Sequence, residues 1–188
     1  MPAEGRDTVS APWNEFHDAI DAQLSAPADL HCIGGFVMTL QYGLSRATAD
    51  IDVMEAAPTG ALTELQRIAG HGSELERRFR VYLQVVRVAM YPENYASRLV
   101  PMWPGRFQRL RLFALEVHDL ALTKLGRNSD VDRQDVRQLA AAGLINAKTL
   151  QERYEEEYRP NLSSGEEKLD LTIKLWIEMC WPENPRSP

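Results

Sequence analysis

The stretch from His31 to Met54, HCIGGFVMTLQYGLSRATADIDVM, constrains the fold more than any other part of the chain. A short apolar strand leads into a Gly34-Gly35 turn and a helix, and a second strand then carries Asp50 and Asp52. Because alternate residues of a strand point to the same face, the two carboxylates are predicted to lie side by side. The sequence therefore predicts a sheet that presents paired acids next to a glycine turn.

Paired carboxylates of this kind need a chemical reason. Two acids that lie close together repel each other unless a cation or a shared proton offsets the repulsion. Mg²⁺ fits such a pair, because it is held by a few carboxylates together with substrate phosphates. The exposed N–H groups of the glycine turn favour phosphate. An isolated Asp-x-Asp also occurs by chance in turns and caps, but the apolar neighbours Ile51 and Val53 favour a strand, so the pattern indicates chemistry on a nucleotide.

Composition narrows the class of protein. The chain has 188 residues and a formal net charge of -6, so no global basic field draws it onto nucleic acid. No apolar run is long enough to span a membrane, and the first residues lack the apolar core of a signal peptide. We therefore expect a cytoplasmic protein with no membrane partner. Its two cysteines, Cys32 and Cys180, cannot form a zinc site alone.

Hydrophobic periodicity predicts a mixed sheet of about four strands followed by a helical region. We expect a flexible tail at residues 1–10, a core at 11–117 and a helical region at 118–188 that packs on the core. Strands are predicted at 30–33, 49–54, 80–89 and 110–117. Helices are predicted at 13–24, 36–44, 62–78 and 118–127, from a Ser129 cap to about Gly143, and at 147–158 and 166–181.

A composite motif, GG-x7-G-x2-R-x-T-x-D-x-D, resembles the nucleotidyltransferase-fold proteins of bacterial toxin–antitoxin and abortive-infection systems, of the AbiEii and MenT kind. It is most similar to an uncharacterised branch of that superfamily. The resemblance continues through residues 115–145 and covers most of the chain. The residues that carry it are Gly34, Gly35, Gly43, Arg46, Thr48, Asp50 and Asp52, then His118, Asp119, Lys124, Leu125, Arg127, Asp130, Asp132, Arg133 and Asp135.

The resemblance implies an α+β, polymerase-beta-like fold: a mixed sheet flanked by helices, with a C-terminal helical part. It implies transfer of a nucleoside monophosphate from an NTP to an RNA, such as the end of a tRNA, or to a protein, and a cognate antitoxin as a partner. The cofactor implied is Mg²⁺ or Mn²⁺ on Asp50 and Asp52. The nucleotide-binding residues implied are Gly34, Gly35, Arg46, Thr48 and Lys124; for Lys124, a solvated surface position is the alternative.

One departure from the resemblance concerns the third carboxylate that active members carry on a later strand. The matching position here is Gln84, whose neutral amide cannot take a proton at neutral pH and is a weaker metal ligand. Glu116 is the best candidate for a substitute catalytic acid, and a cap on the following helix is its alternative role. Three hypotheses remain open at this stage: an active nucleotidyltransferase, a degenerate member that binds a nucleotide or a partner, and a structural domain in which the Asp pair is incidental.

Overall fold

A five-stranded mixed sheet organises the first of two structural units in the computed structural model, which describes residues 11–44, 47–87 and 90–182. The first unit comprises residues 1–87 and 99–115, and the second comprises residues 88–98 and 116–188. The expected flexible tail at 1–10 lies outside the described residues. The expected boundary between core and helical region stays a prediction.

The sheet has the strand order β3-β2-β1-β5-β4 and mixes parallel with antiparallel pairs. β1 runs antiparallel to β2 and parallel to β5, β2 runs parallel to β3, and β4 runs antiparallel to β5. This mixed sheet with flanking helices confirms the expected fold class. The strands are β1 (Ala28–Ile33), β2 (Asp50–Ala57), β3 (Tyr82–Val85), β4 (Val100–Met102) and β5 (Leu110–Ala114).

One face of this sheet forms the core of the unit. Ile51, Val53 and Leu83 are at most 2% exposed, whereas Asp50 and Asp52 on the opposite face of β2 are half-buried. The helices that pack against the sheet are α1 (Trp13–Gln23), α2 (Gly34–Leu40) and α3 (Ala61–Ala69). Apolar residues at alternate positions therefore fix which face of β2 meets the helices and which carries the acids.

The single helix predicted over residues 62–78 is wrong, because the chain forms two helices there. α3 ends before Gly70, and α4 (Glu74–Phe79) begins after Ser73. Gly72 has a φ of +83°, which an L-residue rarely adopts, and the Ser73 side chain accepts a hydrogen bond from the N–H of Glu76. A turn and a new cap thus interrupt an otherwise continuous helical periodicity.

The second unit is helical in its described part. Its helices are α5 (Val117–Arg127), α6 (Asp130–Ala141), α7 (Ala147–Arg153) and α8 (Glu166–Cys180), and a 3-10 turn (Tyr95–Arg98) precedes them. The predicted cap at Ser129 is confirmed, since Ser129 and Asp132 form a reciprocal capping box. The helix predicted over 147–158 changes at Tyr154 into a π-helical turn, Tyr154–Tyr158. No helix in the described residues is both long and apolar enough to cross a membrane.

A buried histidine lies at the centre of an aromatic cluster in the first unit. His17 is fully buried, and neither ring nitrogen has a hydrogen-bond partner among the described residues. Burial lowers the pKa of His17 to about 3, with a further contribution from the charge of Arg106. The five rings that surround His17, with centroids within 6.1 Å, belong to Trp13, Phe16, Phe36, Trp103 and Phe107.

His17 makes stability depend on pH. The unfolded chain binds a proton at His17 below about pH 6.5, but the folded chain binds it only near pH 3, so the free energy of unfolding falls as pH drops through this window. The loss amounts to about 3 kcal/mol at pH 4. We expect urea unfolding of His17→Phe to show a flatter pH profile than wild type between pH 6.5 and 4. The profile of a control, Thr63→Val at an exposed position of α3, should follow wild type; equal slopes for His17→Phe and wild type contradict the prediction.

Candidate active site

Asp50 and Asp52 occupy alternate positions of β2 and share the half-buried face of the sheet. The apolar residues that alternate with them, Ile51 and Val53, point into the core and are fully buried. β2 lies between β1 and β3: Asp52 pairs with residues of both neighbouring strands, and Asp50 pairs with a residue of β3. The predicted juxtaposition of the two acids on one strand face is confirmed.

The carboxylate of Asp52 lies directly against Gly34, the first residue after β1. Ile33 pairs with Asp52 in the β1–β2 register, which brings the glycine turn alongside the acid. A Cβ at position 34 would lie 1.9 Å from Oδ2 of Asp52, and Gly34 has a φ of +76°. Both the contact and the backbone conformation require glycine. The first glycine of the motif and the second acid thus form one local structure.

Asp50 is oriented by Thr48. Oγ1 of Thr48 lies 2.9 Å from Oδ1 of Asp50 and 3.1 Å from its backbone carbonyl oxygen, and the hydroxyl donates to these acceptors. A hydrogen bond to an ionised carboxylate is stronger than a neutral one and restricts the side-chain rotamer. Thr48, which the resemblance assigns to nucleotide binding, therefore positions one of the two acids in this structure.

Gln84 pairs with Asp52 across the parallel β2–β3 ladder, and Tyr82 pairs with Asp50. The side chains of Gln84 and Tyr82 therefore project from the same face of the sheet as the two acids. The Tyr82 hydroxyl lies 3.3 Å from Oε1 of Gln84 and donates to it. Partial burial and the negative charge of Asp50 raise the pKa of Tyr82. Sequence reasoning overlooked Tyr82, although its position in phase with Gln84 was a usable signal.

The donor set at this face contains two carboxylates. Among the described residues no group of three or more His, Cys, Asp or Glu side chains is placed to hold a metal ion. Two carboxylates nevertheless suit Mg²⁺, which keeps several waters and takes its remaining ligands from substrate phosphates. The pair, next to a glycine turn that leaves room for close approach, therefore fits a metal ion bound jointly with a phosphate-bearing ligand.

Glu116 is the N-cap residue of α5, and its carboxylate is bound within the second unit. Its carboxylate caps the helix by accepting from the N–H of His118 and, at 3.4 Å, from that of Asp119, and it forms an ion pair with Arg153. The ring of His118 lies 2.9 Å from its other oxygen. Burial alone would raise the pKa of Glu116, but the hydrogen bonds from His118 and Arg153 outweigh it and lower the pKa to about 2. The capping role is confirmed, and the catalytic role stays a prediction.

Lys124 is buried in the second unit, with 3% of its side chain exposed. Its ammonium lies 2.6 Å from Oδ2 of Asp135 and 3.8 Å from Oδ1 of Asp132, and both acids are themselves buried. The alternative of a solvated surface lysine is therefore wrong. These contacts give Lys124 two carboxylate partners in the helical unit. Nucleotide binding by Lys124 stays a prediction.

The candidate site residues thus divide between the two units. In the first unit, Gly34 contacts Asp52, Thr48 contacts Asp50, and the two acids share β2. Gly35 follows Gly34 in α2. Glu116 and Lys124 belong to the second unit. Arg46 lies outside the described residues.

Comparison with protein families identifies the family of the chain. A family model described as "Nucleotidyltransferase of unknown function (DUF6036)" matches residues 16–178. The chain belongs to this nucleotidyltransferase family. Membership implies a nucleoside triphosphate as a ligand, and the match spans the glycine turn, both acids and most of the helical unit. No curated protein and no solved structure matched the chain.

Proposed function

We propose that the chain is a Mg²⁺-dependent nucleotidyltransferase that moves a nucleoside monophosphate from an NTP to an acceptor hydroxyl. One observation carries the proposal: Asp52 lies against Gly34 while Asp50 occupies the same strand face. This arrangement brings a pair of metal-binding acids to a turn whose missing Cβ leaves backbone open to phosphate. Family membership supplies the reaction class.

The residues of the first unit have separate tasks in this reaction. Asp50 and Asp52 hold the metal ion, which when bound offsets the charge that develops on the phosphoryl oxygens. Thr48 fixes the rotamer of Asp50 through its 2.9 Å hydrogen bond. The backbone of Gly34 and Gly35 contacts the phosphates, since no side chain stands in between. The chain thus contributes mainly positioning and charge, as phosphoryl transfer requires.

The acceptor proposed from the resemblance is an RNA, such as a tRNA end, or a protein. The same resemblance favours a component of a toxin–antitoxin or phage-defence system of the AbiEii and MenT kind, with a cognate antitoxin as partner. Finding a gene for a small DNA-binding protein next to the gene for this chain would support this assignment. We expect purified partner protein to suppress transfer when the two are mixed.

A labelling experiment tests the proposed reaction. Protein is incubated with Mg²⁺ or Mn²⁺, each α-labelled NTP, and total tRNA or a cell lysate. We expect label transfer by wild type and none by Asp50→Asn/Asp52→Asn. Glu55→Gln, on the same strand with a side chain 57% exposed, is the matched control and should transfer label as wild type does. Wild type that neither transfers label nor binds any NTP in a metal-dependent way contradicts the proposal.

A second candidate function is nucleotide binding without transfer. It is favoured by Gln84, whose neutral amide pairs with Asp52 where relatives are expected to carry a third acid. This candidate shares the NTP site and differs only in turnover. Metal-dependent NTP binding with no transfer to RNA or protein selects it, and label transfer by wild type excludes it.

Thr48 offers a finer test of the metal site. Thr48→Val removes the hydroxyl that donates to Asp50, so the carboxylate loses its fixed orientation. Because partners of metal ligands affect metal affinity strongly, we expect Mn²⁺ to bind about 10-fold more weakly in the presence of NTP, measured by electron paramagnetic resonance. Thr48→Ser keeps the hydroxyl and should restore affinity. Thr63→Val, at an exposed position of α3, should bind as wild type does; equal affinities for Thr48→Val and wild type contradict the assignment.

A further inference from the structure

A polar cleft of about 450 Å³ runs along the outer edge of β3 in the first unit. Its volume is that of a small-molecule site and suits a group the size of one nucleoside. β3 is the edge strand of the sheet, and β2 with the two acids is its only neighbour among the described strands. The residues that line the cleft are Gln66, Gly70, His71, Tyr82, Leu83, Gln84 and Val85.

Two rings and an amide give the cleft its chemistry. The rings of His71 and Tyr82 lie 5.3 Å apart at an angle of 58°, and the His71 side chain is 83% exposed. Glu76 holds His71, because one carboxylate oxygen lies 2.7 Å from its Nδ1 while the other accepts from the N–H of Gly72. The side-chain amide of Gln84 has two N–H donors and a carbonyl oxygen that accepts. Stacking rings beside an amide are the groups that bind a nucleobase.

The position of the cleft distinguishes the donor nucleotide from the acceptor. Gly34 lies at the β1 side of Asp52, whereas Gln84 and Tyr82 lie at its β3 side. In phosphoryl transfer the attacking and leaving oxygens stand on opposite sides of the phosphorus. If the glycine turn contacts the leaving phosphates, as the proposed function requires, then the attacking hydroxyl comes from the β3 side.

We propose that the β3 cleft is the acceptor subsite and that it takes a nucleoside, free or at the end of an RNA strand. This inference rests on the proposed function for the location of the leaving group. The nucleobase stacks on His71 and Tyr82, and Gln84 hydrogen-bonds the nucleoside next to Asp52. Gln84 is then a binding residue of the acceptor rather than a lost catalytic acid.

The transfer step needs no reactant other than the acceptor hydroxyl, the NTP and water. The acceptor hydroxyl oxygen forms a bond to the α-phosphorus of the NTP, and the bond from that phosphorus to the oxygen bridging to the β-phosphate breaks. Pyrophosphate leaves with that electron pair. The hydroxyl proton passes to solvent water, since the amide of Gln84 cannot accept it at neutral pH.

Separate donor and acceptor titrations test the inference. Calorimetry measures binding of the four nucleosides and of a short oligoribonucleotide, with and without saturating Mg²⁺ and a non-hydrolysable NTP. Loss of base stacking costs about 10-fold in affinity, so we expect His71→Ala and Tyr82→Leu each to weaken acceptor binding by that factor. Both variants should bind the Mg²⁺–NTP analogue within two-fold of wild type. Because His71 is exposed, its variant folds even where Tyr82→Leu does not.

Each outcome decides a different question. Unchanged nucleoside and oligonucleotide binding in His71→Ala, or no such binding by wild type, overturns the inference. Weakened NTP binding with unchanged acceptor binding assigns the cleft to the donor base and also overturns it. Serine- or tyrosine-containing peptides that bind in place of nucleosides overturn the class of acceptor. The proposed function fails separately if wild type shows no metal-dependent NTP binding while nucleosides still bind the cleft.

Discussion

Gly34→Ala should lower the free energy of unfolding by about 2–4 kcal/mol and abolish metal-dependent NTP binding. The new Cβ would lie 1.9 Å from Oδ2 of Asp52, so the carboxylate must leave its place. An alanine at a φ of +76° adds a backbone cost of about 1–2 kcal/mol. Urea unfolding measures the first effect, and calorimetry with Mg²⁺ and a non-hydrolysable NTP measures the second.

Gly43→Ala is the matched control for this substitution. Gly43 has a φ of +72°, but no atom lies within 4 Å of a Cβ placed there. The control therefore shares the backbone cost of about 1–2 kcal/mol and lacks the clash. Asp52→Ala combined with Gly34→Ala should recover part of the lost stability, because it removes the two closest atoms. Equal losses for Gly34→Ala and Gly43→Ala contradict the close approach of Asp52.

Lys124→Met should destabilise the helical unit by about 3–5 kcal/mol, because it removes one partner from a buried ion pair. The ammonium lies 2.6 Å from Asp135, whose side chain is 5% exposed, and it also faces Asp132. Loss of this charge leaves a carboxylate in a region of low dielectric. Chemical denaturation followed by circular dichroism measures the change.

Removal of both charges separates the pair from the packing of the side chains. We expect Lys124→Met/Asp135→Leu to be more stable than Lys124→Met alone, since two apolar side chains of similar volume replace two buried charges. Lys148→Met is the control: its side chain is 83% exposed and its pair with Glu152 spans 3.7 Å, so the change should stay within about 0.5 kcal/mol. Additive losses at Lys124 and Asp135 contradict a direct ion pair.

Local patterns predicted the part of the site that belongs to β2. Alternation alone places Asp50 and Asp52 on one face, because a strand has a period of two. The Ser129 cap and the helix that it opens followed from side-chain chemistry within three residues. The position of Gln84 next to Asp52 agrees with the strand match that the resemblance suggested. Each of these features depends on short-range geometry or on a recognised motif.

Features that depend on contacts far apart in the chain were not predicted. β4, with only three residues and a proline at Pro101, carries too little alternation to be read as a strand, and pairing with β5 defines it. The buried partners of Lys124 lie eight and eleven residues later on another helix. The sequence predicted the acids next to the glycine turn, but the direct contact of Asp52 with Gly34 depends on the β1–β2 register, which the sequence does not encode locally.

The most direct test of the proposed site is whether NTP binding requires both Mg²⁺ and the two acids of β2. Calorimetry titrates a non-hydrolysable NTP into wild type and into Asp50→Asn/Asp52→Asn, each with Mg²⁺ and with a chelator. We expect wild type to bind the NTP only with Mg²⁺. The variant should bind it more than about 100-fold more weakly, because residues that bind the metal directly affect affinity more than the residues that hydrogen-bond to them. The melting temperatures of both proteins should agree. NTP binding of equal strength in the variant, or in the absence of Mg²⁺, contradicts the assignment of Asp50 and Asp52 as the metal-binding acids.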